Sequence, residues 1–407
     1  MRLRSPKTTP TERAAVSKHV SLHVEARRSL LLFVEDIYRD YNRRVTTGLL
    51  NALDRNWHLQ VLRPPKSVAE MRAALDRYRP DAAASLGLPE RCREVLIERR
   101  VPSVELGVDR FPKTPIPVIE TDDEAIGAMA ADHFLQRGYR EFAVFDNSGL
   151  ERFNRRIRGF QRRLARENLR AHVHSAPKSG EDPYDVNFLP QNTDEWLLNL
   201  PKPVAVFCIN DPAGALVVER CRELGIVVPE DVAVLGVDNS ILICLTTWPP
   251  ISSVQPDFER LGARCAELVC NPGFFPARHF VERIAPREVV CRESTAMRLT
   301  LDPVVSQAVA YIEQHIDLPF KVADLLAVTG VSGPTLSSRF KASLGHTPIE
   351  EIRIRRIERA RNLLLEDQPI ARAARASGFQ STTHFCKAFR ELTGQSPGDY
   401  RREMRAK

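Results

Sequence analysis

Between residues 29 and 290, short apolar runs alternate with amphipathic stretches. Several runs are apolar at every position rather than at every second one, which is typical of parallel strands that helices cover on both faces. The pattern predicts strands at 30–34, 59–62, 82–86, 103–106, 118–119, 142–145, 204–209, 232–237 and 252–254. It predicts helices at 39–55, 68–78, 91–100, 122–137, 155–167, 212–224 and 257–269. Repeated βα units of this kind indicate an open, doubly wound α/β fold.

After residue 302 no strand pattern returns. Asp302 and Pro303 suit the N-cap and first position of a helix that runs to about residue 316. A helix-turn-helix pattern follows, with a positioning helix over 322–328, Gly330 at the turn and Ser332 as N-cap of the second helix. The spacing of its apolar positions turns Leu336 and Phe340 inward. It leaves these side chains toward solvent or DNA: Pro334, Thr335, Ser337, Ser338 and Lys341.

The same plan is repeated nearer the C-terminus. Ile370 and Ala374 anchor a short helix, Gly378 turns the chain, and Ser381 opens a second recognition helix. Phe385 and Phe389 are its buried positions, four residues apart. Its exposed positions are Thr382, Thr383, His384, Cys386 and Lys387.

A long helix joins the two units. Thr347, Pro348 and Glu350 form a capping box with proline at the first helical position, and the helix continues to about residue 365. Apolar residues at 349, 352, 357, 360, 363 and 364 form one stripe, and the arginines at 353, 355, 356, 359 and 361 occupy the rest. About 18 residues span roughly 27 Å. This length predicts two recognition helices about one DNA turn, roughly 34 Å, apart.

Charge and composition divide the chain further. Residues 1–28 carry a net charge of +5, residues 29–300 carry −2 and residues 301–407 carry +4. We therefore expect a basic tail over 1–28, a ligand-binding α/β domain over 29–290, a linker over 291–301 and a helical DNA-binding domain over 302–407. The tail is interpreted as disordered, with a basic arm that touches DNA as the alternative.

The remaining signals exclude several classes of protein. The eight cysteines show no C-x-x-C and no Cys/His cluster at zinc spacing, so we expect reduced thiols, no metal and no cofactor. The N-terminus has no apolar signal core, which predicts a cytoplasmic protein without membrane contact. The chain contains no G-x-G-x-x-G, Walker A, G-x-S-x-G or H-E-x-x-H motif, and we predict no catalytic residues.

Polar residues follow three of the predicted strands, where an apolar core does not need them. They are Asp146-Asn147, Asn210-Asp211 and Asp238-Asn239. Ligands of doubly wound folds bind beyond the carboxyl ends of the strands. Capping of the next helix is an alternative explanation for each of them.

Two of these strand ends, with Arg156-Ile157-Arg158-Gly159-Phe160, resemble the sugar-sensing domain of LacI-type repressors and periplasmic sugar-binding proteins. The resemblance implies two α/β lobes that close around a small ligand, with Arg156, Asn210 and Asp238 among its contacts. Carboxylate and guanidinium groups can each hold two adjacent hydroxyls. From the basic helix start at 38–44 we choose Arg43 as the contact from the first lobe, with a solvated helix start as the alternative.

The C-terminal motifs resemble the AraC/XylS family over residues 303–402, with Gly378-Phe379, Phe385-x-x-x-Phe389-Arg390, Gly394-x-Ser396-Pro397 and Tyr400-Arg401 in register. The resemblance implies DNA contacts from Pro334, Ser337, Ser338, Lys341, Thr382, Thr383, His384 and Lys387. The first helix lacks the Arg and Gln that read bases in a bidentate way, so we expect weaker base specificity there. Arg339 and Arg390, with Lys341, are candidates for phosphate contacts or for surface ion pairs.

The order of the two domains is similar to that of bacterial xylose-operon regulators over residues 29–403. This implies a sugar-responsive transcription factor, an activator of genes for xylose or related pentose catabolism, that binds an operator as a homodimer and contacts RNA polymerase. The alternative is a sugar-binding or sugar-modifying α/β protein whose helical domain contacts other proteins.

Overall fold

The computed structural model describes residues 28–107, 112–113, 115–175, 188–271, 280–296, 302–318, 320–365 and 368–406. Nearly all of the tail predicted at 1–28 lies outside these ranges. Within them the strands are β1 (Arg28–Phe33), β2 (Trp57–Leu62), β3 (Ala82–Ser85), β4 (Ser103–Leu106), β5 (Val118–Thr121), β6 (Glu141–Asp146), β7 (Ala171–Ser175), β8 (Val204–Cys208), β9 (Val232–Val237), β10 (Ser252–Gln255), β11 (Val281–Ile284) and β12 (Glu288–Val290).

The helices of the α/β region are α1 (Asp40–Ala52), α2 (Val68–Tyr78), α3 (Glu90–Glu98), α4 (Asp123–Gln136), α5 (Glu151–Ala165), α6 (Thr193–Asn199), α7 (Asp211–Glu223), α8 (Ile241–Thr246) and α9 (Phe258–Cys270). Those of the C-terminal region are α10 (Pro303–Gln314), α11 (Val322–Thr329), α12 (Gly333–Leu344), α13 (Pro348–Leu365), α14 (Ile370–Ala376), α15 (Thr382–Thr393) and α16 (Pro397–Ala406).

The α/β region consists of two lobes. Lobe 1 contains a six-stranded sheet in the order β11-β5-β4-β3-β1-β2, and lobe 2 contains one in the order β12-β10-β9-β8-β6-β7. All pairings are parallel except that of β12 with β10. The chain crosses between the lobes after β5, after β10 and after β11, so that α9 packs in lobe 1 and α4 in lobe 2. The two-lobed α/β prediction is confirmed.

Helices α1 and α9 approach each other closely at a glycine in lobe 1. A Cβ added to Gly48 would lie 2.0 Å from the carbonyl oxygen of Glu259, so no larger residue fits there without a shift of backbone. The contact fixes α1 against the first turn of α9. It thereby determines where the neighbouring arginines of α1 point.

Every strand and helix predicted for the α/β region is present at its place. The pattern missed β7, α6, α8, β11 and β12. Strand β7 reads Ala-His-Val-His-Ser and is largely exposed, while β11 and β12 are three to four residues long and half polar. Short edge strands bury too little apolar surface to produce a readable pattern.

The segment predicted as the start of the linker belongs to lobe 2 instead. Ser294 and Thr295 are fully buried, and the Ser294 hydroxyl donates to the carbonyl of Val234 on β9 at 2.6 Å. The Thr295 hydroxyl lies 2.8 Å from Nε2 of His133 on α4. Residues 291–296 therefore pack as part of the α/β domain, because the hydroxyls of Ser294 and Thr295 satisfy polar groups of β9 and α4.

The helical region has two apolar cores joined by α13. The first contains Leu325, Leu336 and Phe340, and the second contains Phe385 and Phe389. Helix α13 contributes Ile352 to the first core, and Ile357, Ala360 and Leu364 to the second. Its 18 residues agree with the predicted length.

Two positions of α13 differ from the predicted stripe. Ile349 is 65% exposed because the first turn of α13 extends beyond the first core. Arg355, placed by the pattern on the polar face, is buried and forms ion pairs at 2.9 Å with both Glu351 and Glu313. A buried arginine is tolerated there because carboxylates surround it.

Across the described ranges, no helix is both long enough and apolar enough to cross a membrane. All eight cysteines lie in the described ranges and none is bonded to another.

Candidate functional site

Asp238 lies directly after β9, in a strained turn that faces lobe 1. Asp238 and Asn239 have φ angles of 108° and 49°, which side-chain-bearing residues rarely adopt. Three backbone hydrogen bonds hold the turn: Asp238 N donates to Val254 O at 3.0 Å, Asn239 N to Ser253 Oγ at 2.9 Å, and Ser240 N to the carboxylate of Asp211 at 2.7 Å. Strain that is maintained by several bonds is a mark of functional sites.

Arg156 approaches Asp238 from within lobe 2. Its buried guanidinium donates to the Asp123 carboxylate at 2.7 Å and to the carbonyl of Ile209 at 2.6 Å. Its Nη1 atom lies 3.7 Å from the Asp238 carboxylate. Two of the predicted ligand contacts, Arg156 and Asp238, are therefore neighbours in the structure.

The arginine that crosses from lobe 1 to Asp238 is Arg44, not the predicted Arg43. Arg44 Nη1 donates to the Asp238 carbonyl at 2.7 Å, and Nε donates to Glu259 at 2.7 Å. Arg43 is 60% exposed and pairs with Asp40, one turn earlier on α1. The basic run at 38–44 did not distinguish the two, because only the α1–α9 packing determines which arginine faces the cleft.

Asn210 caps the N-terminus of α7. Its Oδ1 accepts from the backbone N–H of Ala213 at 2.8 Å, so the capping explanation considered for this residue is realised. Its side chain is partly exposed at the end of β8, close to Arg156 through the Ile209 carbonyl. Its contact with a ligand stays a prediction.

Asp211, one of the polar residues that follow the predicted strands, supports the Asp238 turn from the protein interior. The side chain is fully buried, and it accepts from the hydroxyl of Ser253 at 2.6 Å as well as from Ser240 N. Burial raises the pKa of Asp211, and the nearby Asp238 charge raises it further. Burial likewise raises the pKa of Asp238, while Arg156, Arg152 and Arg44 oppose that shift. Through its hydrogen bonds with Ser253 and with the backbone N–H of Ser240, Asp211 holds the Asp238 turn in place.

The third polar strand end forms local hydrogen bonds. Asp146 forms a local turn in which its carboxylate accepts from the backbone N–H groups of Ser148 and Gly149. The cleft thus gathers Arg44, Arg156 and Asp238, with Asn210 close to them. No cluster of His, Cys, Asp or Glu that could hold a metal occurs in the described part of the chain.

The predicted DNA-contacting residues lie on α12 and α15. Ser332 and Ser381 cap these helices, and Leu336, Phe340, Phe385 and Phe389 are fully buried, as predicted. The predicted contacts are exposed apart from Ser337, which is half-buried: Pro334, Ser337, Ser338 and Lys341 on α12, and Thr382, Thr383, His384 and Lys387 on α15. Arg339 pairs with Asp302 at 3.1 Å, which favours the ion-pair alternative for this residue.

Comparison with known proteins agrees with this architecture. Residues 131–295 match the model of a periplasmic binding protein-like domain, and residues 325–403 match that of a helix-turn-helix domain. Over 392 residues the chain is 26% identical to the xylose operon regulatory protein of Escherichia coli strain K12, a match that covers 92% of this chain and 96% of the relative. The chain is a DNA-binding transcription regulator.

Other relatives match most of the chain or part of it. The regulator is 28% identical over 319 residues to the xylose operon regulatory protein of Haemophilus influenzae, covering 76% of this chain and 81% of the relative. A solved xylose-binding transcription activator has a similar fold, with a TM-score of 0.57 at 24% identity over 92% of this chain and 98% of its own. A ribose-bound LacI family regulator from Enterococcus faecium covers 67% of this chain and 100% of its own, at 22% identity and a TM-score of 0.54.

Proposed function

We propose that the regulator senses a small sugar, xylose or a related pentose, in the cleft between its two lobes and activates genes for catabolism of that sugar. It acts in the cytoplasm as a homodimer on an operator and contacts RNA polymerase. The observation that carries the proposal is the convergence of Arg44, Arg156 and Asp238 where the two lobes meet. The relatives named for xylose support the choice of a pentose.

The cleft residues suit a polyhydroxy ligand. The carboxylate of Asp238 accepts hydrogen bonds from adjacent hydroxyls, and the guanidinium of Arg156 donates to ring and hydroxyl oxygens. Asn210 offers an amide from the same side. Arg44 binds the backbone of Asp238 from the opposite lobe, so a ligand on the Asp238 side chain affects one of the contacts between the lobes.

The sugar controls operator binding only through its different affinities for two arrangements of the lobes. A ligand that binds both arrangements equally well does not change the equilibrium between them. The closed arrangement sets one spacing of the recognition helices in the dimer. The α12 and α15 faces then read the operator, with α15 supplying His384 and Lys387 to bases and backbone.

A gel-shift experiment tests the proposal directly. The probes are the DNA upstream of the regulator's own gene and of neighbouring sugar genes, each with and without xylose. We expect specific binding whose affinity depends on xylose, and calorimetry against pentoses and hexoses identifies the preferred sugar. Turnover of a sugar without sequence-specific DNA binding would instead establish the alternative of a sugar-modifying protein.

Asp238→Asn tests the ligand site within the same assay. Asn tolerates positive φ, so the turn is retained while the charge is lost. Hydrogen bonds to a charged group contribute about 1.5–3 kcal/mol, so we expect sugar binding to weaken about 10- to 150-fold. An unchanged sugar response in this variant would rule out the proposed site.

A further inference from the structure

Residues 287–296, here named the coupling segment, touch both the ligand cleft and the DNA-binding domain. The segment contains β12 and the turn at Glu293–Thr295, and it follows the third crossing between the lobes. We propose that this segment transmits the state of the cleft to helix α13, with Arg292 as the positioning residue that joins the Asp238 turn to the segment. The inference rests on the proposed function, because it requires a ligand in the cleft.

The cleft side of the segment has two anchors. Arg292 is buried, and its guanidinium donates to the side chain of Asn239 at 2.7 Å and to the carbonyl of Ile251 at 2.8 Å. Asn239 is the residue next to Asp238, within the strained turn. A change in that turn therefore acts on Arg292 without an intermediate residue.

The second anchor ties the segment to lobe 1. Arg287 donates to Asp257 at 2.6 Å and lies 3.6 Å from Glu259, both at the start of α9. Glu259 also holds Arg44, which binds the Asp238 carbonyl. Because β12 pairs within lobe 2 while Arg287 binds lobe 1, movement of one lobe against the other pulls on this segment.

The other side of the segment holds α13. Glu288 forms an ion pair with Arg361, and the carbonyl of Cys291 accepts from the side-chain amide of Asn362. The carbonyl of Ala296 accepts from Arg355 at 2.6 Å. These three α13 residues belong to the helix that spaces the two recognition helices.

The interface between the segment and α13 is suited to rearrangement. Its contacts are ion pairs and hydrogen bonds, and no apolar cluster among the described residues includes both α/β and helical residues. A cavity of about 340 Å³ remains between them, lined by His133, Arg137, Glu288, Glu358 and Tyr400 among others. Polar interfaces of this kind between domains permit relative motion, unlike a shared apolar core.

Charge reversal of Arg361 in the full-length regulator tests the inference. Arg361→Glu breaks the contact with Glu288, and Asn362→Ala breaks the second contact without a charge change. Arg353→Glu is the matched control, because Arg353 lies on the same helix but pairs with Glu391 of α15. Adding Glu288→Arg to Arg361→Glu restores an ion pair of reversed polarity.

The measured quantities are the xylose Kd and the ratio of operator Kd without and with xylose. For wild type we expect a ratio in the range of about 5–150 that is typical of coupled sites. In Arg361→Glu and in Asn362→Ala this ratio should fall below about twofold, while the xylose Kd stays unchanged. In the control Arg353→Glu, and in the double variant Glu288→Arg with Arg361→Glu, the ratio should stay at the wild-type value.

If Arg361→Glu and Asn362→Ala both kept the wild-type ratio of operator Kd without and with xylose, the role of the segment would be overturned. The proposed function would remain intact. If the operator Kd of the wild-type regulator were the same with and without every sugar of the panel, both the role of the segment and the proposed function would be overturned. A weaker xylose Kd in the α13 variants would also contradict the inference, because it would mean that they perturb the cleft itself.

Discussion

Adjacent arginines on α1 have different environments, and the difference determines which one matters for the cleft. Arg44 is 11% exposed, stacks over the ring of Phe258 at 4.9 Å and binds Glu259 and the Asp238 carbonyl. Arg43 pairs with Asp40 in solvent. A guanidinium desolvated between two lobes contributes more than an exposed one, whose ion pair is worth about 0–1 kcal/mol.

We therefore predict that Arg44→Ala alters the sugar response and that Arg43→Ala does not. Removing Arg44 leaves Glu259 without its bidentate partner and breaks the contact between α1 and the Asp238 turn, so sugar affinity should change by about tenfold or more. Arg43→Ala, one position away, should stay within about threefold of wild type. Calorimetry with xylose measures both, and a larger effect of Arg43→Ala than of Arg44→Ala would make Arg43 the ligand contact instead.

The buried carboxyl of Asp211 predicts a pH dependence of stability. Its native pKa is raised by burial and by the Asp238 charge, so native Asp211 keeps a proton that the unfolded chain releases above about pH 4. The unfolded state then binds fewer protons, and the free energy of unfolding falls as pH rises from about 4 through the raised native pKa. The slope from this one group is at most about 1.4 kcal/mol per pH unit.

Asp211→Asn removes this titration and should flatten the pH profile. Urea unfolding of wild type and variant between pH 4 and 8 measures the difference. Asp231→Asn is a control at the lobe surface, where the carboxylate accepts from Val227 N at 2.9 Å. If Asp211→Asn and Asp231→Asn gave the same profile, the burial of Asp211 would have no such energetic consequence.

Among the helices, α12 and α15 occupy equivalent places in the two helix-turn-helix units but expose different chemistry. The predicted DNA-facing side of α12 offers the exposed Pro334 and Ser338 and the half-buried Ser337, whereas that of α15 offers the exposed Thr382, His384 and Lys387. Proline and serine give at most single hydrogen bonds to a base edge. Sequence selectivity should therefore be concentrated in α15.

Replacing both His384 and Lys387 with Ala should weaken operator binding about 10- to 150-fold. The loss of the Lys387 charge should also reduce the salt dependence of binding, because fewer counterions are released when the DNA binds. Ser337→Ala with Ser338→Ala should weaken operator binding less than about tenfold. Fluorescence anisotropy with operator DNA at several salt concentrations measures both. Sugar affinity is the control and should not change in either double variant. An equal loss of operator affinity in the α12 and the α15 double variants would contradict the predicted difference between the two helices.

The elements that the sequence predicted well are those with strong periodicity or capping signals. Helix α13 begins at its capping box and has the predicted length, and the buried Phe pair of α15 lies where the spacing placed it. The Arg44–Asp238 contact, the role of Asp211 and the Arg292 bonds were not predictable. They join residues between 29 and 194 positions apart, and the sequence of one chain carries no signal for such tertiary contacts.

At the scale of the whole molecule, the α/β and helical domains have separate apolar cores within the described residues. Their contact includes polar groups on residues 288–296 and on α13, together with the Arg137–Glu358 ion pair and the hydrogen bond from Tyr400 to Glu288. Cooperative unfolding follows shared apolar burial, so each domain should unfold in its own transition. The polar contact then couples the orientation of the domains more than it couples their stability.

Differential scanning calorimetry of the full chain should accordingly show two transitions. Xylose at 100 times its Kd stabilises the domain that binds it by about 2.7 kcal/mol. For a domain of this size that raises Tm by about 5–10 °C, and the helical transition should move much less. Operator DNA should raise the helical transition instead. A single transition that shifts with either ligand would contradict this prediction, because both domains would then unfold as one cooperative unit. The coupling segment would in that case be a rigid connection between the domains and not a contact that can rearrange.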